Sequence, residues 1–383
     1  MTSRTALLLA GIPSENPALY HRIRFRVGDP AAWISLDIDG QSRSEFIVRD
    51  IERDRARKAV PVDAVSCPAD YTPAAGLSGD RATATAQAVA ECLSRAHVER
   101  VTTDRTCPYI FAWHIAQAGI AVDYSPELGV IDRRVKDSQE LQWLGAAQSV
   151  TEEAMLMACQ TVARAQVDPQ GQLLHAGQLL TSERLRKLIS IFLLERDYSN
   201  PHDAIVASWP HSADCHERGS GPLLSGQAVI IDIFPQCQAS GYWGDCTRTV
   251  VHGQPSEEIV RMHAAVVAAK QAAIAAARAG AEAQAVHEAT KHVLSAAGYR
   301  FERGAISDEP VMPHGTGHGV GLEVHEPILL DDNGGTLMAG EVLTIEPGLY
   351  SRQFGGVRVE DMLVITDGAA RNLNRLHEGL SWE

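Results

Sequence analysis

Apolar and polar positions divide the chain into two differently patterned parts. In residues 1–135, short apolar runs at 6–10 and 46–48 predict strands, and 82–97 has the composition and spacing of a helix. That part reads as an α/β domain. The charged stretch 132–138 marks a boundary, and Ser138 is a suitable N-cap for a helix beginning there. Leu141, Leu144, Ala147, Val150, Ala154 and Ala158 then recur at helical spacing. A second helix is predicted over 182–196, opened by Thr181 or Ser182. Residues 228–234 read as a buried strand, with 247–251 its partner beyond a turn at Ser240-Gly241. Ser256 caps an Ala-rich helix that Gly280 ends, and a further helix over 282–297 is closed by Gly298. Two more strands are expected at 342–345 and 357–365. Residues 136–383 therefore form an α+β domain.

Composition narrows the field. A chain of 383 residues, 45% hydrophobic and 21% charged, supports two folded domains. Its net charge of -14 speaks against nucleic acid and anionic membrane surfaces as partners. The seven cysteines are scattered without a C-x-x-C pair, which points to reduced thiols. The run at 6–10 is too short for a signal peptide, so a cytoplasmic protein is expected.

The chemistry lies in acids placed where acids are costly. Asp232 follows Val229-Ile230-Ile231, Glu346 follows Val342-Leu343-Thr344-Ile345, Glu360 lies within the apolar run 357–364, and Asp245 immediately precedes the run 246–251. A carboxylate in such surroundings needs a partner or a metal ion. Side chains alternate along a strand, so Arg358, Glu360 and Met362 are expected on one face and Asp361 on the other. Taken singly, each acid is more simply an edge or turn residue, and Asp361 is expected to be such a case or a supporting neighbour. The segment from His314 to Pro327 adds three histidines, His314, His318 and His325, on a stretch carrying four glycines. Glycine allows close approach of the backbone to an ion or substrate. Four clustered carboxylates would repel one another; two divalent cations cancel them and leave the histidine neutral. Oxygen-rich coordination with one imidazole suits manganese, cobalt, iron or zinc.

These segments resemble a known family. Gly241-Tyr242-Trp243-Gly244-Asp245-Cys246-Thr247-Arg248-Thr249, the stretch from Gly317 to Glu326, Glu346-Pro347-Gly348 and Gly356-Val357-Arg358-Val359-Glu360-Asp361 stand in the order found in the pita-bread metallopeptidases. That family includes methionine aminopeptidase, Xaa-Pro aminopeptidase and Xaa-Pro dipeptidase, with creatinase as a relative. The resemblance covers 136–383, and 1–135 looks like the smaller creatinase/prolidase-type α/β domain. It implies two divalent ions, manganese foremost, held by Asp232, Asp245, His318, Glu346 and Glu360. Asp245 and Glu360 would bridge the ions. The resemblance further implies His216 as a substrate-contacting or proton-donating group and His325 as the group stabilising the tetrahedral intermediate. Glu346 would double as general base, and His314 and Arg358 would orient substrate or support the ligands. The implied substrate is a peptide or dipeptide with proline at its second position, and the implied assembly is a homodimer.

Two departures bear on specificity. Asp232 and Asp245 are thirteen positions apart (245 − 232), two more than is usual in the family, which predicts an enlarged turn at 236–240. The segment Asp214-Cys215-His216-Glu217 lacks the proline and the second histidine that often flank His216 in prolidases. Alternative readings are a same-fold amidinohydrolase or lyase, and a non-catalytic binding module. The complete set of five ligand-type residues argues against the module. Cys215 and Cys246, each next to a site residue, are small buried thiols in the simplest reading and oxidation-sensitive groups in the sharper one.

Overall fold

The computed structural model describes residues 4–38 and 40–383. They divide into two compact units, one running to Arg133 and the other spanning Arg134–Glu383.

The first unit is a six-stranded mixed sheet in the order Ala64–Ser66, Gln41–Ile47, Ala31–Ile38, Thr5–Gly11, Arg100–Thr103, Ala121–Tyr124. Thr5–Gly11 runs antiparallel to Ala31–Ile38 and parallel to Arg100–Thr103. Its alternation builds two cores. Ala6, Leu8 and Ala10 pack with Val89, Leu93, Phe111 and Ile115 on one face, while Leu9 packs with Leu19, Ile23 and Phe46 on the other. The helix expected at 82–97 is Arg81–Arg95, capped by the Asp80 carboxylate.

In the second unit, four helices cover small sheets that meet at their ends. The first helix is Ser138–Ala163, and its N-cap is Asp137 rather than the expected Ser138. Asp137 accepts from the Glu140 amide while Glu140 reaches back to the Asp137 amide, a reciprocal pair that Ser138 cannot make. Ser182–Leu194 is capped by Thr181. Glu257–Ala276 is capped by Ser256 and stops at Ala276, short of the expected Gly280. Ala283–Ala296 ends before Gly298, which takes the left-handed conformation at φ 88°. Glu257–Ala276 is long and apolar enough to cross a bilayer by length and composition. Its Lys270, however, is fully buried in ion pairs with Asp361 and Glu378, and its apolar face packs on Met312, Leu349 and Val357. It is a core helix.

Three sheets position the acids. Ile205–Ser208, Ala228–Ile233 and Cys246–Val251 form an antiparallel trio, with Asp232 directly opposite Thr247. Val229, Ile231 and Ile233 face the first two helices, so Asp232 points to the other side. A four-stranded sheet ends in Gly348–Ser351 and Gly355–Arg358, and a five-stranded one contains His318–Gly319, Val342–Ile345 and Asp361–Val364. The single strand expected over 357–365 is thus two strands in two different sheets. Glu360 stands at the crossover between them, and its amide donates to the Thr247 carbonyl at 3.1 Å.

Candidate metal centre

Asp232 lies near the end of its strand and is buried. Arg358 donates to its Oδ2 at 2.6 Å, while its Oδ1 is buried without a hydrogen-bond partner among the described residues. Asp245 is fixed through its backbone: its amide donates to Gln148 Oε1 at 2.9 Å, and its carbonyl accepts from Gln148 Nε2 at 2.7 Å. Gly244 before it lies flat on the first helix, because a Cβ there would meet Thr151 Oγ1 at 2.2 Å. Glu360 Oε2 accepts from Thr247 Oγ1 at 2.9 Å.

The glycine-rich segment is packed rather than loose. A Cβ on Gly317 would lie 2.0 Å from the Thr344 carbonyl oxygen, and one on Gly321 would lie 2.5 Å from Glu326 Oε2. These glycines let His318 run alongside Val342–Ile345. Their close approach is to neighbouring protein, where the sequence suggested approach to a ligand. Trp243 donates its amide to Gly321 and its indole N–H to Leu322, bringing the Asp245 segment onto the histidine segment.

His318 Nδ1 lies 3.1 Å from the Gly319 carbonyl and donates to it, so the ring turns an unprotonated Nε2 inward. That nitrogen is 3.3 Å from Glu346 Oε1 and 3.8 Å from Asp245 Oδ2. Burial holds the His318 pKa down at about 4, so the ring is neutral at pH 7. Ligand atoms of Asp245, His318 and Glu360 all lie within 4.8 Å of one another.

The carboxyls register the crowding. Burial, and after it the charges of Glu360, Asp232 and Glu346, pushes Asp245 well above the carboxylate range. Burial and the charges of Glu346 and Asp232 do the same to Glu360. Glu346, half-buried at the cavity wall, is pushed up to about 7, chiefly by desolvation. A bare nitrogen lone pair, an unpartnered buried oxygen and crowded carboxyls are donors converging without enough positive charge. The donor set fits divalent cations. Asp245, His318 and Glu360, with Asp232 and Glu346 lining the same cavity, are the residues that would hold them.

All nine residues singled out by sequence line one cavity of about 290 Å³, together with Phe234, Leu329 and Asp331. His325 is exposed and presents its ring to His318, centroids 4.3 Å apart. His216 is exposed and follows a turn held by its amide on Asp214 Oδ1. His314 gives Nδ1 to the Gly315 carbonyl at 2.8 Å and meets the Tyr350 hydroxyl at 3.0 Å through Nε2. Arg358 uses its donors on Asp232, Thr247, Tyr350 and the Cys215 carbonyl. Both groups therefore act on neighbours. Cys246 is buried against Glu360 and Asn374, and burial pushes both its thiol and that of Cys215 up, as expected of unreactive groups.

Sequence reasoning missed three supports, Gln148, Thr247 and Tyr350. Gln148 stands four residues after Leu144 on the buried face of its helix, with buried Thr151 and Glu152 one turn later. A polar stripe on an otherwise apolar face was the available signal. Thr247 and Tyr350 share faces with Asp245 and Gly348 by simple alternation.

The model of metallopeptidase family M24 matches residues 142–367, more than half of the chain. The chain belongs to that family. Among curated relatives, it is 36% identical over 172 residues to the probable dipeptidase PepE of Mycobacterium bovis, covering 44% of this chain and 43% of that protein. It is 34% identical over 180 residues to the Xaa-Pro dipeptidase of Pyrococcus furiosus, covering 46% of this chain and 49% of that protein. These matches span under half the length of either relative. The prolidase of Pyrococcus horikoshii superposes with a TM-score of 0.76 at 21% identity, covering 98% of this chain and 95% of that one. The Xaa-Pro dipeptidase of Bacillus anthracis gives 0.78 at 21% identity, covering 98% and 94%. At such identities the likeness is one of fold: α+β, with the M24 pita-bread domain preceded by a smaller α/β domain.

Proposed function

We propose that this chain is a dinuclear metallopeptidase that removes the N-terminal residue of peptides or dipeptides, with proline at the second position. The carrying observation is the convergence of Asp245, His318 and Glu360, ligand atoms within 4.8 Å, on a cavity that also receives Asp232 and Glu346. Four carboxylates and the guanidinium of Arg358 sum to three negative charges (−4 + 1) around a neutral imidazole. Two divalent ions would turn that into one positive charge, which favours negative charge developing on a scissile carbonyl. Bound ions would supply Lewis acidity and a lowered pKa for water. Manganese is the first choice, with cobalt, zinc or iron able to serve the same donors.

The chain's own residues divide the remaining work. Glu346 reaches the cavity with its Oε1 3.3 Å from His318 Nε2, which places its carboxylate to accept a proton from water. His325 projects beside His318 and would donate to the carbonyl oxygen as it becomes anionic. His216, also at the cavity wall, would contact substrate or protonate the leaving nitrogen. Arg358 and Tyr350 hold Asp232 and His314 in place for substrate. Ile205, Phe234 and Leu329 give the cavity apolar walls of the kind a proline ring fills. Seven free cysteines support a reducing, cytoplasmic setting. The homodimer rests on the family resemblance and is checked by light scattering.

The deciding experiment assays purified protein, with chelator and with added manganese, against Xaa-Pro dipeptides, longer Xaa-Pro peptides and matched Xaa-Ala peptides. Metal-dependent release of the first residue, faster with proline second, is expected. Metal retained without turnover of any peptide would favour a lyase on the same fold. Protein that takes up no metal would favour a binding module.

A further inference from the structure

His287, on the helix Ala283–Ala296, is fully buried, and its Nδ1 lies 2.9 Å from Thr316 Oγ1. The direction of that bond is set by the hydroxyls behind it. Thr290 Oγ1 donates to the Val286 carbonyl, and Thr316 Oγ1 donates to Thr290 Oγ1 at 3.0 Å. Each hydroxyl has one proton, and both are used. Thr316 can only accept from His287, which therefore carries its proton on Nδ1 and presents a bare lone pair at Nε2.

That Nε2 has no hydrogen-bond partner among the described residues. It faces Asp331 Oδ1 at 3.6 Å, too far for a hydrogen bond, and a lone pair aimed at a carboxylate repels it. Ligand atoms of His287, Asp331 and Asp332 all lie within 4.8 Å of one another. Zinc-type bonds of roughly 2.1 Å set tetrahedral neighbours about 3.4 Å apart, close to the 3.6 Å between His287 Nε2 and Asp331 Oδ1. Asp331 is largely buried while Asp332 is exposed to solvent, so the cluster has an anchored inner side and an open approach.

Nearby protein cations do not fill this gap. Arg303 pairs with Asp331 Oδ1 from a half-exposed position. Lys291 holds Glu288 at 2.6 Å and stands 3.9 Å from Asp332. Neither one is bonded to His287 Nε2.

We propose that His287, Asp331 and Asp332 form a separate, peripheral site for a divalent cation of zinc type, independent of the five-residue centre. One imidazole with two carboxylates suits zinc over calcium or magnesium, which prefer oxygen throughout. An ion there displaces the Arg303 guanidinium from Asp331. It also fixes a carboxylate whose Oδ2 stands against Gly315, where a Cβ would lie 3.0 Å from it. Asp331 borders the cavity, so occupancy alters the wall beside His314.

The test measures zinc bound to the full-length protein by elemental analysis across buffered free-zinc concentrations, in wild type, Asp332→Asn and His287→Gln. Wild type is expected to take up one equivalent more than either variant at the free zinc that fills this site. The affinity of that equivalent should fall at least about tenfold in the variants. His287→Gln alters a buried side chain and puts the fold itself at risk, whereas Asp332→Asn alters an exposed one and carries the test alone. Equal uptake curves for wild type and Asp332→Asn overturn the proposal, whatever the five-residue centre binds.

Discussion

Glu346→Gln in metal-stripped protein isolates the electrostatic strain of the centre. The Glu346 carboxyl rises from its ordinary 4.5 to about 7 in the folded chain, with burial the main cause. A raised pKa means that the folded state holds this proton more tightly than the unfolded chain does. The associated stabilisation is complete below about 4.5 and is lost as pH rises through about 7. At 1.36 kcal/mol per pH step, the loss across that window is about 3 kcal/mol. Glutamine has nearly the same shape and cannot ionise, so it escapes the loss. Removing the Glu346 charge also relieves its neighbour Glu360, for which that charge is the largest Coulombic cause of elevation, and this effect has the same sign. The assay is thermal denaturation of chelator-dialysed wild type and Glu346→Gln from pH 4.5 to 8, monitoring the transition of the C-terminal unit. The variant's advantage should grow with pH to roughly 6–12 °C in a unit of this size. A difference independent of pH, or a wild type that gains on the variant as pH rises, would refute the reasoning.

Three further outcomes test the centre from other sides. Asp245→Ala or Glu360→Ala should abolish tight loading of both ions and all peptide turnover, measured by elemental analysis and by assay of the same preparations. His325→Ala should keep its metal while turnover falls on the order of a hundredfold or more, the usual loss for one donor to a developing oxyanion; loss of metal instead would make His325 a ligand. Gly317→Ala would place a methyl 2.0 Å from the Thr344 carbonyl and force Val342–Ile345 away from His318. A loss of at least about 2 kcal/mol in urea denaturation, with weakened metal binding, is expected there.

Much of this arrangement could be read in the sequence because burying an acid is costly enough to be conspicuous. Asp232, Asp245, Glu346 and Glu360 stood out against apolar runs, and all four line the cavity. The crossover at Glu360 did not stand out, because both flanking strands are fully buried and no glycine or proline separates them. The cap at Asp137 was readable from Glu140 three positions on, but the adjacent Ser138 offered a competing cap. Gly317 illustrates a different limit. Sequence shows that the chain is permitted to come close to something, and only packing shows that the something is Thr344.

Glu360 and Asp361 show why burial alone does not identify a functional acid. The two are consecutive and almost equally buried, at 2% and 1% exposure, yet their carboxyls shift in opposite directions. Successive side chains leave a strand on opposite faces, so the two meet different surroundings. Asp361 accepts from Arg248 and Lys270, both fully buried, and from Asn372, and these cations outweigh its desolvation. It is a structural acid, matched by cations that the chain itself supplies; removing either cation should cost several kcal/mol. The Glu360 carboxyl receives one threonine hydroxyl, and the guanidinium whose charge acts on it, that of Arg358, is already bonded to Asp232. The fold thus neutralises one carboxylate of the pair from within and leaves its neighbour to be neutralised from outside. That asymmetry between adjacent residues is what a metal-binding acid requires, and the fixed guanidinium of Arg358 keeps it in place at any pH where the fold survives.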